Sequence, residues 1–194
     1  MKNLNLPNIL TLSRIFLVPL ILLGIAVGGR WSCMFAFAAF AVAGFTDFID
    51  GHLARSGNQV TRLGKFLDPL ADKVLVCSVL VMLVQLGYVA GWIAIVIICR
   101  DIMVTGLRAI AADEGVVIAA DNFGKLKTIM QMLALGPLIV HHVWFGISMH
   151  DVGIFLLYIA LALTVFSGCK YFWMFSRVWR EKPVGGPGEG RGDV

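Results

Sequence analysis

The sequence predicts an all-α membrane protein with six transmembrane helices and a short N-terminal interfacial segment. Hydrophobic residues make up 59% of the 194-residue chain and charged residues only 14%, against about 25% in a soluble domain. Apolar runs of about 20 residues, the length that crosses a bilayer, recur along the chain. Backbone groups in lipid must be satisfied within their own segment, so these runs are expected to be helices.

Capping and turn-forming residues divide the chain into its elements. Residues 1–6 alternate polar and apolar side chains and are expected to lie along the membrane surface, and Pro7 or Asn8 starts the first helix. The Gly- and Pro-rich residues 181–194 predict a disordered cytoplasmic tail, which leaves residues 1–180 as one membrane domain. The predicted spans cover residues 9–27, 31–55, 62–86, 92–112, 123–145 and 152–175.

The lysines and arginines predict the orientation of these spans. Most of them fall in the two tails and in the connections after the second and fourth helices, whereas the opposite side holds only Arg30. Cytoplasmic connections carry the excess of basic residues, so both termini are expected on the cytoplasmic side of the cell (inner) membrane. The net charge of +4 comes without a basic stripe with interleaved aromatic residues, so no nucleic-acid partner is expected.

Four aspartates lie near the ends of the second and third predicted helices. Each pair falls on one helix face, because Asp47 and Asp50 are separated by three residues and Asp68 and Asp72 by four. Residues 56–59 between them are turn formers, so the two faces can meet across a helix–turn–helix. Carboxylates near a bilayer need a partner or a cation, and hard divalent cations such as Mg²⁺ take oxygen ligands. Two metal ions about 4 Å apart are a known device for phosphoryl chemistry.

Pro69 leaves two alternatives for its neighbour Asp68. Asp68 can cap the third helix with Pro69 in its first turn. Alternatively, Pro69 lies inside the helix and produces a kink, which could tip Asp68 into the cleft between the helices.

The spacing Asp-x2-Asp-Gly-x2-Ala-Arg-x8-Gly-x3-Asp-x3-Asp over residues 47–72 resembles, without departure, the signature of the CDP-alcohol phosphatidyltransferase family. The resemblance implies a homodimer and two bound divalent metal ions, Mg²⁺ or Mn²⁺. It implies that the metal ligands are Asp47, Asp50, Asp68 and Asp72, and that Gly51, Ala54 and Arg55 contact the CDP group. It also assigns Asp72 as the base for the acceptor hydroxyl.

The first helix carries a second resemblance to members of this family. Asn8, Thr11 and Arg14 lie at intervals of three residues in the segment Pro7-Asn8-Ile-Leu-Thr11-Leu-Ser-Arg14. The resemblance implies a contribution to the CDP-diacylglycerol site. The alternative is structural: an Asn cap, a Thr bonded to its own helix and an Arg that reaches the interface.

The fourth and fifth helices resemble the branch of the family that uses glycerol 3-phosphate as acceptor. The resemblance rests on Arg100-Asp101-x5-Leu107-Arg108 and Gly124-Lys125-x-Lys127-Thr128-x2-Gln131. Asp101 replaces the usual Glu and keeps the charge. The implied ligands of the acceptor phosphate are Arg100, Arg108, Lys125 and Lys127. Alternatively, the lysines are ordinary cytoplasmic charges and Arg100 forms a structural pair with Asp101 or with an aspartate of the motif.

The resemblance implies transfer of the phosphatidyl group of CDP-diacylglycerol to glycerol 3-phosphate, with release of CMP. A nearer alternative is another acceptor, such as inositol phosphate, serine or phosphatidylglycerol. A distant alternative is a divalent-cation transporter, which is disfavoured because the carboxylates cluster at one face and do not line a path across the membrane.

The cysteines and histidines are expected to be structural. None of the four cysteines forms a CxxC pair, and each falls in an apolar segment, which is typical of free buried thiols. A metal site at His141 and His142 would need further ligands, and none is near in sequence.

Overall fold

The computed structural model describes the backbone of residues 6–56, 62–113 and 122–181, and the side chains of residues 13–46, 71, 73–111, 124–174 and 176. The chain is mostly helical, as predicted. The described residues form α1 (Leu6–Val27), α2 (Arg30–Ser56), α3 (Arg62–Gln85), α4 (Gly91–Asp113), α5 (Asn122–Val140), β1 (Val143–Trp144), β2 (Ile147–Ser148) and α6 (Met149–Glu181).

The largest departure from the predicted elements lies between α5 and α6. The fifth helix was predicted to reach residue 145, but it ends at Val140, because His141 has a φ of 35° that no α-helix accommodates. An antiparallel hairpin follows, in which Trp144 pairs with Ile147. Strands of two residues are too short to show an alternating pattern, so the sequence contained no signal for them.

The chain termini lie largely outside the described residues. The predicted interfacial segment covers residues 1–6, of which only Leu6 is described, as the first residue of α1. The predicted tail begins at Glu181, which is instead the last residue of α6, and residues 182–194 fall outside the described part. The prediction of a separate tail therefore stays a prediction.

The backbone of α3 excludes the alternative that Asp68 caps the N-terminus of the helix. The helix begins at Arg62, well before Asp68, so Asp68 lies inside the helix and not at its N-cap. Pro69 is therefore also an interior residue. The side chain of Asp68 is outside the described part, so its direction stays a prediction.

The core is built around α3. Leu75, Val79 and Leu83 recur every four residues along one face of α3 and are fully buried. They belong to an apolar cluster that also includes Ile21, Ile25, Phe40, Ile93, Ile97, Leu135, Leu138 and Leu157. All six helices contribute to this cluster or pack directly against it, which holds the ends of neighbouring helices in a defined register.

Three connections gather at one end of the helices, which we name the hairpin end: residues 28–29, 86–90 and 141–148. Side-chain contacts join them, since the Arg30 guanidinium lies 4.0 Å from the Trp144 ring centroid and the Tyr88 hydroxyl lies 3.1 Å from Nε2 of His141. The opposite end, where α2 and α4 finish and α3 and α5 begin, is named the motif end.

One helical segment among the described residues is long and apolar enough to cross a bilayer. It covers Met149–Met174 with a mean hydropathy of 2.3, judged by length and composition alone. Shorter apolar segments cover Ser13–Val27, Arg30–Thr46 and Lys73–Gln85. The six-span topology therefore stays a prediction.

The four cysteines are free thiols, as predicted. Cys33 is buried in the core and Cys77 is half-buried, but Cys99 and Cys169 are exposed on the helix surface. The expectation that all four are buried is therefore wrong for these two, because an apolar segment of a helix also has an outward face.

Candidate active site

The acidic motif lies where α2 ends and α3 begins. Asp47 and Asp50 belong to the second half of α2, and Asp68 and Asp72 belong to the first half of α3. Because both helices are continuous there, the two pairs keep the one-face spacing that the sequence predicts. The connecting residues 57–61 and the motif side chains are outside the described part, so convergence of the four carboxylates stays a prediction. The same holds for the predicted CDP contacts, which are Gly51, Ala54 and Arg55.

Contacts between α1 and α2 place Arg14 beside this motif. An added Cβ at Gly24 of α1 would lie 3.0 Å from the Cβ of Ala36 of α2. The two helices are joined by a short connection and run antiparallel. Continuing the same register toward the motif end brings Arg14 level with Thr46, one residue before Asp47.

The Arg14 side chain is only 3% exposed. An arginine that reaches the interface would be exposed, so burial excludes the snorkelling alternative for Arg14. Buried guanidinium groups are stable only when they are paired or hydrogen-bonded. Asn8 and Thr11 lie on the same helix toward its N-terminus, and their side chains are outside the described part.

Contacts between α2 and α5 place the motif beside the lysines of α5. The Phe37 ring lies against Gly136, where an added Cβ would be 2.8 Å from a ring carbon, and Met132 lies against Gly44. The residue numbers rise along α2 as they fall along α5, so these helices are also antiparallel. Asp47 is therefore level with the first two turns of α5, which carry the predicted acceptor ligands.

A largely buried ionic network joins α4, α5 and α6 at the motif end. Nζ of Lys127 lies 2.5 Å from each carboxylate oxygen of Asp101, and Nη1 of Arg100 lies 3.2 Å from the same carboxylate. Nη2 of Arg100 donates a hydrogen bond to Oγ of Ser167. The Arg100 guanidinium also lies 5.8 Å from the ring centroid of Tyr171, a weak cation–π distance. Two cationic side chains thus share one carboxylate.

This network tests the alternative that Arg100 forms a structural pair and that the α5 lysines are ordinary solvated charges. The structural pair between Arg100 and Asp101 is present, and Lys127 is 2% exposed, so neither cation behaves as a solvated cytoplasmic charge. Lys125 and Arg108, in contrast, have exposed side chains. The four predicted phosphate ligands therefore divide into a pair held by Asp101, in which Lys127 is buried and Arg100 partly buried, and an exposed pair.

Three polar residues in this region had no assigned role in the sequence analysis. Ser167 and Tyr171 of α6 contact Arg100, and no spacing in the sequence relates α6 to α4. Gln131, one turn beyond Lys127, is 2% exposed, and its Nε2 has no hydrogen-bond partner among the described residues. A buried unpaired amide is costly, which makes Gln131 a further candidate polar contact of the site.

We expect Asp101→Asn to lower the free energy of unfolding by about 3–5 kcal/mol, because it removes the carboxylate charge that the buried Lys127 and the partly buried Arg100 share. The measurement is denaturation in detergent micelles followed by helix content. Asp151→Asn is a matched control, since the Asp151 side chain is 81% exposed. A loss no larger than that of the control would show that the network contributes nothing to stability.

Comparison with known protein families identifies the family of this chain. A family model described as CDP-alcohol phosphatidyltransferase matches residues 4–166. That range contains the acidic motif, the ionic network and most of α6. The chain therefore belongs to the CDP-alcohol phosphatidyltransferase family, a membrane-associated family of transferases.

Curated relatives extend over most of the chain. It is 41% identical over 180 residues to the CDP-diacylglycerol–glycerol-3-phosphate 3-phosphatidyltransferase of Bacillus subtilis, covering 87% of the chain and 93% of the relative. Proteins of the same name from Rickettsia felis and Haemophilus influenzae are 38% and 40% identical. The Rickettsia felis alignment covers 87% of the chain and 93% of the relative. The Haemophilus influenzae alignment covers 86% of the chain and 91% of the relative.

Proposed function

We propose that this protein transfers the phosphatidyl group of CDP-diacylglycerol to glycerol 3-phosphate, giving phosphatidylglycerophosphate and CMP. The observation that carries the proposal is the complete acidic motif, in a chain about 40% identical over most of its length to relatives that bear this activity in their names. The product is an intermediate of phospholipid biosynthesis, and the enzyme is a transferase.

The reaction is a displacement at phosphorus. The primary hydroxyl oxygen of glycerol 3-phosphate forms a bond to the phosphorus that carries the diacylglycerol. The bond from that phosphorus to the bridging oxygen breaks, and CMP leaves with the electron pair. The carboxylate of Asp72 accepts the hydroxyl proton as the new bond forms.

The donor set of the motif fits two Mg²⁺ or Mn²⁺ ions, because all four side chains are carboxylates and these ions prefer oxygen ligands. We propose that Asp47, Asp50, Asp68 and Asp72 hold them. Bound there, the ions would offset the negative charge on the pyrophosphate and on the departing CMP.

CDP-diacylglycerol is assigned to the motif-end residues of α1 and α2. Gly51 and Ala54 allow close approach of the CDP group to the helix, and Arg55 can form two hydrogen bonds with a phosphate. The burial of Arg14 level with the motif supports a role at the same substrate. We extend this role to Asn8 and Thr11, which precede Arg14 on α1.

The acceptor phosphate is assigned to the first turns of α5 and the last turns of α4. Lys125 and Arg108 are exposed and can bind an incoming anion directly. Arg100 and Lys127 share Asp101, so they supply a positive field and reach the phosphate only by giving up part of that contact.

We further propose six membrane-spanning helices, with the motif end in the cytoplasm, and a homodimer. Large apolar side chains point outward along several helices, including Phe16, Phe35, Phe45 and Phe155, which are all more than half exposed. Many exposed large apolar side chains suit contact with lipid or another protein surface better than contact with water. The basic residues at the motif end predict its cytoplasmic location.

The test is an acceptor assay with the purified protein. CMP release is measured with CDP-diacylglycerol and each candidate acceptor: glycerol 3-phosphate, inositol phosphate, serine and phosphatidylglycerol. We expect release with glycerol 3-phosphate alone. Release with a different acceptor would move the protein to another branch of the family, and no release with any acceptor would reopen the transporter alternative.

We expect Lys125→Ala and Arg108→Ala to raise the KM for glycerol 3-phosphate by about 10- to 150-fold, because each removes a charged hydrogen bond worth roughly 1.5–3 kcal/mol. The KM for CDP-diacylglycerol should change much less. Lys170→Ala provides a matched control on α6, since that lysine is exposed and has no assigned role. If the two variants raise only the KM for CDP-diacylglycerol, our assignment of the acceptor pocket is wrong.

A further inference from the structure

A second group of metal-ligating side chains lies at the hairpin end, remote from the acidic motif. One donor atom from each of Cys33, His141 and His142 lies within 4.8 Å of the others. Cys33 belongs to the first turn of α2 and is fully buried, whereas the two histidines follow the last residue of α5. The third ligand that was not found near the histidines in sequence is therefore supplied by a different helix.

The hydrogen bonds of His141 indicate that Nε2 is the ring nitrogen with a lone pair, which is the atom able to coordinate a metal ion. Nδ1 lies 3.2 Å from the carbonyl oxygen of Ile139. A carbonyl oxygen only accepts, so Nδ1 carries the proton and donates, and Nε2 carries the lone pair. The Tyr88 hydroxyl, 3.1 Å away, donates to this lone pair. An imidazole oriented through its second nitrogen by a backbone carbonyl is the usual arrangement of a histidine that binds a metal.

His142 provides an independent indication. Its Nε2 is buried and has no hydrogen-bond partner among the described residues. The rings of His141 and His142 lie 4.2 Å apart between centroids.

We propose that Cys33, His141 and His142 bind a Zn²⁺ ion, at a site separate from the acidic motif. Zn–N bonds of about 2.0–2.1 Å and a Zn–S bond of about 2.3 Å require donor atoms roughly 3.3–3.6 Å apart. Side-chain rotations that bring the atoms together by about 1 Å meet this requirement. One thiolate and two imidazoles favour Zn²⁺ over Mg²⁺, which prefers oxygen donors.

The bound ion would fasten the start of α2 to the end of α5. It replaces the hydrogen bond from Tyr88 to His141 and leaves the fourth position of the tetrahedron to water. Because this metal site lies at the opposite end of the helices from the motif, its loss should change the thermal stability of the protein more than its rate of phosphatidyl transfer.

The test uses the full chain in detergent, with excess Mg²⁺ to saturate oxygen sites. Wild-type protein incubated with Zn²⁺ and desalted should retain one equivalent by elemental analysis, with a raised Tm. Cys33→Ser and His142→Gln should each lose it, whereas Cys169→Ser should retain it, because Cys169 is exposed elsewhere on the chain. Phosphatidyl transfer with Mg²⁺ shows that the variants are folded.

A second measurement on the wild-type protein needs no variant to fold. Co²⁺ in place of Zn²⁺ should produce a thiolate-to-cobalt charge-transfer band in the near ultraviolet, which Zn²⁺ then removes. The absence of this band, or zinc retention by wild-type protein no greater than by Cys33→Ser, would overturn the proposal. A band that persists in Cys33→Ser would assign the metal to another cysteine and overturn it equally.

Discussion

Asp72→Asn is expected to lower kcat by at least about 100-fold, the low end of what a general base contributes. The substitution keeps the size and shape of the side chain but removes the carboxylate that accepts the acceptor's proton and that we assign as a metal ligand. The measurement is CMP release at saturating CDP-diacylglycerol and glycerol 3-phosphate, with enough Mg²⁺ to compensate for weaker metal binding.

Asp151→Asn is the matched control for Asp72→Asn. It is the same chemical change at the hairpin end, on a largely exposed side chain, and should leave kcat within about twofold. If Asp72→Asn retains near-normal kcat, Asp72 is neither base nor essential ligand. The catalytic assignment then moves to Asp47, Asp50 or Asp68.

Removal of divalent cations is expected to abolish activity, and Mg²⁺ or Mn²⁺ should restore it. If the four aspartates converge as we propose, they would repel one another without a cation, and the pyrophosphate adds further negative charge. The measurement is CMP release by protein treated with excess chelator, followed by titration with each metal ion.

The identity of the metal ion that restores activity shows which of the two proposed metal sites takes part in the reaction. Mg²⁺ alone, without Zn²⁺, should recover full turnover if the acidic motif performs the chemistry and the Cys33 cluster does not. Full activity in excess chelator would exclude the two-metal mechanism. A requirement for Zn²⁺ in addition to Mg²⁺ would show that the hairpin end takes part in the reaction.

The sequence was sufficient for the helices and for the position of the motif on them. The length of the apolar runs and the capping and turn-forming residues between them predicted α1 to α4 closely, because these signals are local to each segment. The prediction was wrong at the end of α5, where a left-handed residue stops the helix inside an apolar run. Composition alone does not report the backbone conformation of His141.

The candidate site also has a part that the sequence predicted and a part that only the fold shows. The spacing of Asp47, Asp50, Asp68 and Asp72 is visible in the sequence, because each pair lies within two helix turns. The sequence left the role of Arg100 open between a phosphate ligand and a structural pair. Only the fold shows that Arg100 and Lys127 share Asp101, since this contact joins two helices whose relative register no local pattern encodes.

By itself, the sequence determined the all-α class, the family and the residues of the acidic motif, because the length of apolar runs and a fixed spacing need no information from distant segments. Tertiary structure decided which buried polar groups meet. It brought Ser167 of α6 to Arg100 of α4, and Cys33 of α2 to the histidines after α5. These residues lie far apart in the chain, and burying the apolar faces of the helices against one another is what sets their distances.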